Sequence, residues 1–549
     1  MRVRKLFVIL IGFMLSKGGQ ASVSGGDERL NLDLGKYPII SDIEMGHLRY
    51  SIKIARQSLE DFSLIPPTDV YWIGGSGKHQ ATMSSTRYTL GFMTYFLALE
   101  QFSKIPAYTE LVKPTMDRMI QKMLQREVWS YWAEVSRGVP PAEPNLDRPY
   151  PEEHDPVANR NIMYSGHLAH MVSLYEKLYG DFKWAAPNSM EFAWSDKEKY
   201  YYDTHLLHKV IYDQFVRLPD HAIECSPNMA FPVCNQHPVI ALMLYDQIYK
   251  TSYFPTVRKL HTQFYLDNQI IDPKDHTVAG LMLVKQHTVV NRRNPRFGNV
   301  MDLVIRPLNW MHIVETYTGA VDGWNGAFMN GWDPESVKEH YPYQKKDYVV
   351  VKNDKIAYIK HKGAYEQLSA PFFAVLAAEM GDLKLRDQLI NWSASKFKAQ
   401  WDREGGYFYP AGVEMPITIW PSTRFRGVPL TDKLAALASA NSKDGIRKMH
   451  LEPFPGADEK SPRVEGVPFP MLLIRRAIYD PSIKSLIITA KPGVTGGIQK
   501  ASLRVTRLDP KETWNLYVDG RRVNTYTGSD QVTIAVDLQA QHDIVLKVK

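Results

Sequence analysis

From about residue 42 to residue 441, apolar side chains recur at helical spacing, and loops marked by Pro and Gly interrupt the pattern. The spacing predicts helices over 43–62, 88–102, 116–132, 162–178, 238–250, 256–268, 310–330, 335–343, 366–381 and 385–398. Breaks such as Ile65-Pro66-Pro67 and Gly74-Gly75-Ser76-Gly77 separate them. About a dozen helices without a heptad seam suit a single toroid of paired helices better than a bundle. The fold class expected is therefore mainly α. After Leu451 the texture changes, first to a link rich in Pro, Gly and charge over 453–468 and then to β-branched runs at 486–490, 501–506 and 532–536. Asp519-Gly520 sits between two further runs, 514–518 and 521–526, which is a hairpin signal. A small antiparallel β domain is expected from about residue 472, giving three parts: 1–21, 22–450 and 451–549.

The first part has the composition of a secretory signal peptide. Residues 1–5 are basic, 6–15 are apolar, and Gly19-Gln20-Ala21 offers a small-residue cleavage point. The apolar run is too short for a bilayer, so no stable membrane anchor is expected and the mature chain is placed in the periplasm or outside the cell. Losing Arg2, Arg4, Lys5 and Lys17 takes the formal net charge from +7 to +3, which removes the electrostatic case for a nucleic-acid partner. The 12 Trp and 30 Tyr suit ring-lined pockets as well as ordinary core.

Reactive side chains are densest between Asp220 and His237, and both cysteines of the chain, Cys225 and Cys234, lie there. Three readings compete. In an exported chain two nearby cysteines are by default a disulfide. The order His221, Cys225, Cys234, His237 is also a conceivable zinc set, although structural sites use tighter Cys pairs. Third, two free thiols on one pocket are able to move a proton to and from a substrate. Pro227 and Pro232 predict that this stretch is a loop.

A second cluster, NIMYSGH at 161–167, opens the helix predicted over 162–178. Met163 and His167 share a face there, so a thioether wall and an imidazole would meet the same space. The plainer alternative is a satisfied core histidine at 167 and a solvated one at 170. Read together with Arg87-Tyr88, with the Cys225–Cys234 motif, with YDQIYKTSY at 245–253, with WNGAFMNGWDP at 324–334 and with the residues around Asp382, these motifs resemble the linalool dehydratase/isomerase family in the same order. The resemblance spans roughly residues 56–398.

That resemblance implies an (α/α)6 barrel and a cofactor-free lyase/isomerase, with no metal, that reversibly dehydrates or isomerises a small allylic terpene alcohol. It implies that Cys225 and Cys234 are reduced pocket thiols, with His167 and Tyr88 assisting departure of the hydroxyl. It matches Met163 to a pocket methionine, and Asp61 and Tyr71 to an acid and a tyrosine reaching across a subunit boundary in a homo-oligomeric ring; Phe231, whose aromatic face would favour a cation-like transition state, and Trp324 are further candidates for the substrate-facing wall. Ser226, Val233 and Ala320 depart from the family pattern. Two other classes remain open. A carbohydrate-active (α/α)6 enzyme would need a carboxylate pair, for which Glu127, Glu134 and Asp322 are candidates. An exported protein that merely holds an apolar ligand would tolerate a Cys225–Cys234 disulfide.

Overall fold

The architecture comes from a computed structural model that describes residues 29–65, 86–138, 150–270, 349–359, 366–410, 429–493 and 500–549, with short pieces between 279 and 290, between 338 and 346, and at 414–416 and 424–426. Two compact units emerge: Pro38–Ala457, and Asp458–Lys549 joined by the chain up to Tyr37. The boundary expected at residue 451 thus lies a few residues later, and residues 29–37 belong with the β unit instead of the helical one. The calls on residues 1–21, Tyr71, Ala320, Asp322 and Trp324, and the helix expected over 310–330, lie outside the described residues.

The helical unit contains α1 (Asp42–Arg56), α2 (Thr86–Ser103), α3 (Val112–Met123), the short α4 (Arg126–Trp129) and α5 (Trp132–Val135), α6 (Ile162–Tyr179), α7 (Thr204–Arg217), α8 (Pro232–Tyr249), α9 (Tyr253–Asp267), α10 (Glu366–Glu379), α11 (Leu383–Lys396), α12 (Pro429–Ala440) and α13 (Gly445–Leu451). Their ends follow local chemistry. Ser41 and Glu44 form a reciprocal capping box on α1, and Asp203 caps α7, a helix that apolar spacing alone did not reveal. Helix α1 stops at Arg56, short of the expected residue 62, because Gln57 turns extended. The single helix expected over 116–132 is three pieces, α3, α4 and α5.

Burial divides these helices into two kinds. Helices α2, α6 and α8 are buried on nearly every face, whereas α3, α7 and α9 bury one stripe and leave the rest to solvent. Along the chain the two kinds alternate, an inner helix followed by an outer one. Close approach of the inner helices rests on small residues: a Cβ on Gly166 of α6 would lie 2.7 Å from Pro238 of α8. Overpacking of this sort costs about 1–3 kcal/mol, so Gly166 and Pro238 read as a fitted pair.

The β unit has a five-stranded antiparallel sheet in the order Leu472–Asp480, Ser485–Pro492, His542–Val548, Thr513–Val518, Arg521–Thr527, and a three-stranded one in the order Arg463–Glu465, Lys500–Thr506, Gln531–Asp537. The Asp519-Gly520 turn has φ of 49° and 79°, the left-handed pair that a two-residue hairpin requires. Buried Arg476 ties the N-terminal strap to this unit by donating to the carbonyls of Leu34 and Tyr37 and to Asp543. No helix among the described residues is long and apolar enough to cross a membrane.

Candidate active site

Three inner helices and one turn bring the sequence motifs together. The turn is Cys225 to Met229, where Cys225 donates its N–H to Met229 O and Met229 donates to Ser226 O, both at 2.9 Å. Pro227 and Asn228 fill its centre, and Asn228 has a φ of 67°, the pairing that a type II turn favours. Asn235 then clamps the turn to α8. Its side chain accepts from Ile223 N at 2.8 Å and donates to Ile223 O and Phe231 O at 2.9 and 3.0 Å. The Asn after the second cysteine therefore fixes the position of the first.

Contrary to expectation, Cys234 does not lie in a loop. Pro232 occupies the first position of α8, where its missing N–H costs nothing, and Cys234 follows within the first turn. Both cysteines are free and buried. Their sulfurs share a hydrogen bond, and burial, that bond and the charge on Cys234 push the Cys225 thiol well above its usual range, only partly offset by the Phe231 N–H and the Arg87 guanidinium. Phe231, expected as an aromatic wall, contributes these backbone contacts.

Helix α6 supplies the remainder. Asn161 caps it in a left-handed conformation, accepts from Tyr131 Oη at 2.5 Å and donates to Pro156 O at 2.9 Å, while Ile162 N reaches Glu224 O next to Cys225. Tyr164 donates to Met123 O at 2.6 Å. The motif NIMYSGH is thus accounted for nearly residue by residue, with Gly166 fitted to Pro238 and His167 aimed inward. His167 is 2% exposed, and its Nδ1 lies 2.8 Å from Tyr95 Oη. Burial first, and Arg87 second, hold its pKa down to about 3, so the ring is neutral. Gly91 of α2 leaves room for it: a Cβ there would lie 2.8 Å from His167 Nδ1.

Tyr88 of α2 meets the expected neighbours, with its ring edge-on to His167 at 5.2 Å and its hydroxyl 4.0 Å from Cys234 Sγ. Met163 is buried and accepts from Arg87 Nη2 at 3.5 Å. Sequence reasoning gave Arg87 no role, yet its guanidinium covers the rings of Tyr88 at 4.8 Å and Tyr131 at 4.0 Å. Asp61 is not drawn into this group. It bonds locally to Gln57 at 2.7 Å and to the Ser63 N–H at 2.9 Å, and the bonds from Ser63 lower its pKa.

Two alternatives are altered by the geometry. His221 turns its Nδ1 to the Phe215 carbonyl at 2.9 Å and His237 turns its own to His170, so the zinc order seen in sequence is not assembled. No group of three metal-binding side chains occurs among the described residues. His170, read as solvated in the plainer alternative, is fully buried between His237 and His450. Of the carboxylates that a glycosidase would need, Glu127 is exposed and Glu134 half-buried on the short helices α4 and α5.

Thiols, an imidazole and a tyrosine thus converge within the helical unit. The linalool dehydratase/isomerase family model matches residues 87–318 and 298–414, more than half of the chain, and the protein belongs to that family. Among solved structures it is similar to a variant of the α-1,6-mannanase GH76A of Salegentibacter sp. HEL1_6 at 11% identity, covering 73% of this chain and 98% of that one with a TM-score of 0.41. It is also similar to the GH76 α-mannanase BT2949 of Bacteroides thetaiotaomicron at 10% identity, covering 72% and 94% with a TM-score of 0.40. Likeness at that level carries no argument about substrate.

Proposed function

We propose that the protein is a cofactor-free lyase/isomerase of (α/α)6 form that reversibly dehydrates, or shifts the hydroxyl of, a small allylic alcohol of terpene type. The observation that carries this reading is the hydrogen-bonded thiol pair, in which Cys225 resists ionisation while Cys234 sits in the first turn of α8, within a chain that belongs to the family. On this reading the two cysteines divide the work. Cys225 Sγ–H gives its proton to the leaving hydroxyl, the C–O bond breaks and water departs. Cys234 thiolate removes a proton from the carbon next to the allylic cation, which becomes a diene. The proton then returns from Cys234 to Cys225 across their shared hydrogen bond, so the cycle balances as alcohol to diene plus water. Return of water to the other end of the allyl system gives isomerisation instead. Neutral His167 and the Tyr88 hydroxyl orient the hydroxyl and the thiolate, and the buried rings favour a cation-like transition state.

The test is incubation of the reduced protein, without air, with a panel of monoterpene alcohols and dienes beside a Cys225→Ala control. Conversion by the protein and not by the control is the expected result; no turnover across the panel, or equal turnover by the control, rejects the reading. The same proposal includes export, checked by N-terminal sequencing of the mature chain near residue 22. It also includes a ring in which Asp61 and Tyr71 serve a neighbour's site, checked by recovery of activity when Tyr71→Ala and Cys225→Ala subunits are mixed.

A further inference from the structure

Behind His167 lies a line of buried imidazoles that the thiol mechanism does not use. It begins at His450 on α13, beyond residue 414 where the family match ends, passes through His170 on α6 and reaches His237 on α8. We propose that His450 is a positioning residue of the thiol site, acting through a directed chain of imidazoles that ends on His237 beside His167. The inference rests on the thiol pair being the reacting centre.

The direction of the chain follows from its anchored end. His450 Nδ1 lies 2.8 Å from the Ile446 carbonyl, which can only accept, so the proton of the neutral ring is on Nδ1 and Nε2 is bare. His170 Nε2 lies 2.8 Å from that bare nitrogen and must be the donor. A neutral His170 then has a bare Nδ1, and His237 Nδ1 at 3.2 Å must donate to it. His237 is left with Nε2 as an acceptor, whatever donor it meets. Burial keeps all three rings neutral, as the argument requires: it is the leading cause of a pKa well below the ordinary range at His170 and His237 and of about 3 at His450.

The terminal ring is tightly placed. The centroid of His237 is 3.9 Å from that of His167, and its ring stacks on Tyr95, the phenol that bonds His167, at 5.4 Å and 12°. His237 also lies one turn along α8 from Cys234. One carbonyl on α13 therefore decides which edge of a ring packed against His167 accepts a proton and which donates one. Without an acceptor at position 450, His170 is free to take either tautomer, and the ordering of His237 is lost with it.

Two substitutions separate acceptor chemistry from mere bulk. His450→Gln keeps an oxygen able to accept from His170, whereas His450→Met fills similar space without one. With linalool as the probe alcohol, His450→Met should lower kcat roughly tenfold with KM unchanged, the scale seen for partners that orient a reacting group, and His450→Gln should stay within about twofold of the parent. Wild-type kcat in His450→Met, or equal impairment in both variants, overturns the proposal. Neutron diffraction from crystals of the unaltered protein gives a reading that does not depend on the variants folding. Deuterium on His450 Nδ1, His170 Nε2 and His237 Nδ1 alone supports the chain, and any other pattern overturns it. Full activity in Cys225→Ala would instead reject the thiol reading and leave those deuterium positions as they are.

Discussion

The two ends of α2 hold two buried polar groups of opposite character. At its C-terminal end Glu100 and, just past the helix, Lys104 meet Glu44 of α1, with Lys104 Nζ 2.9 Å from Glu44 and 3.3 Å from Glu100. The two carboxylates raise the Lys104 pKa against the pull of burial, and burial pushes Glu100 up to about 8. Charge is matched within that cluster, which acts as a strut between helices. At the N-terminal end Arg87 faces two rings and a thioether, and its charge acts on the Cys225 thiol and the His167 imidazole, which burial holds neutral. There a cation meets groups able to gain or lose a proton. Lys104 thus answers carboxylates that face it, whereas Arg87 lies against rings, a thioether and the groups of the thiol site.

The sharpest way to break this comparison is to remove a thiol. Cys225→Ala should lower turnover of the preferred alcohol by about 10³-fold, equivalent to about 4 kcal/mol, with the melting temperature nearly unchanged. Initial rates on matched, folded samples measure it. At the other end of α2, Lys104→Met should leave turnover per folded molecule intact and destabilise by about 3 kcal/mol, because it strands buried carboxylates. Urea unfolding reads that loss, and a fall in kcat at full stability would erase the distinction drawn between the ends.

His167→Ala belongs with the thiols. Losing a positioned proton donor or acceptor should cost roughly 10²-fold in kcat, near 2.7 kcal/mol, while the fold persists. Normal turnover per folded molecule would show His167 to be core and nothing more. Much of this group was legible in sequence, because Met163 and His167 lie on one helix and both cysteines within one short stretch. Arg87 and Tyr95 flank Tyr88 in the stretch that carried the resemblance but received no role, and His450 lies beyond it; only packing sets Arg87 on Met163, Tyr95 on His167 and His450 on His170. The loop expected around Cys234 failed for a local reason: Pro at the first helical position looks in sequence like a helix breaker, yet suits a helix start. The N-terminal strap was missed because residues 29–37 gain their partners only in the β unit.

The neutral histidines also set an acid response. For His167, His170, His237 and His450 the folded pKa lies below the unfolded one, near 6.5, so the unfolded chain binds more protons once pH falls below that value. Their contribution to stability is thus complete above about pH 6.5 and is lost as pH drops toward the folded values. Each histidine steepens the loss by up to about 1.4 kcal/mol per pH unit. Unfolding curves between pH 7 and 5 should therefore be less steep in pH for His450→Met than for the parent. Equal slopes would mean that His450 takes up its proton as readily in the folded protein as in the unfolded chain.

The smallest effect is expected at Tyr88. Its ring packs edge-on to His167, and its hydroxyl lies 4.0 Å from Cys234 Sγ. Tyr88→Phe keeps the ring and removes that one long contact. A hydrogen bond to a charged group contributes about 1.5–3 kcal/mol at good geometry, and at this length about 1 kcal/mol is reasonable, or roughly a fivefold fall in kcat. The change should grow when Cys234 is the group under test. If Tyr88 steadies the Cys234 thiolate, Tyr88→Phe should slow alkylation of Cys234 by iodoacetamide at neutral pH and leave alkylation of Cys225 alone. A fivefold loss of turnover with unchanged alkylation of both cysteines would move Tyr88 from the thiolate to the substrate hydroxyl, and a loss as large as that of His167→Ala would make it a principal proton donor.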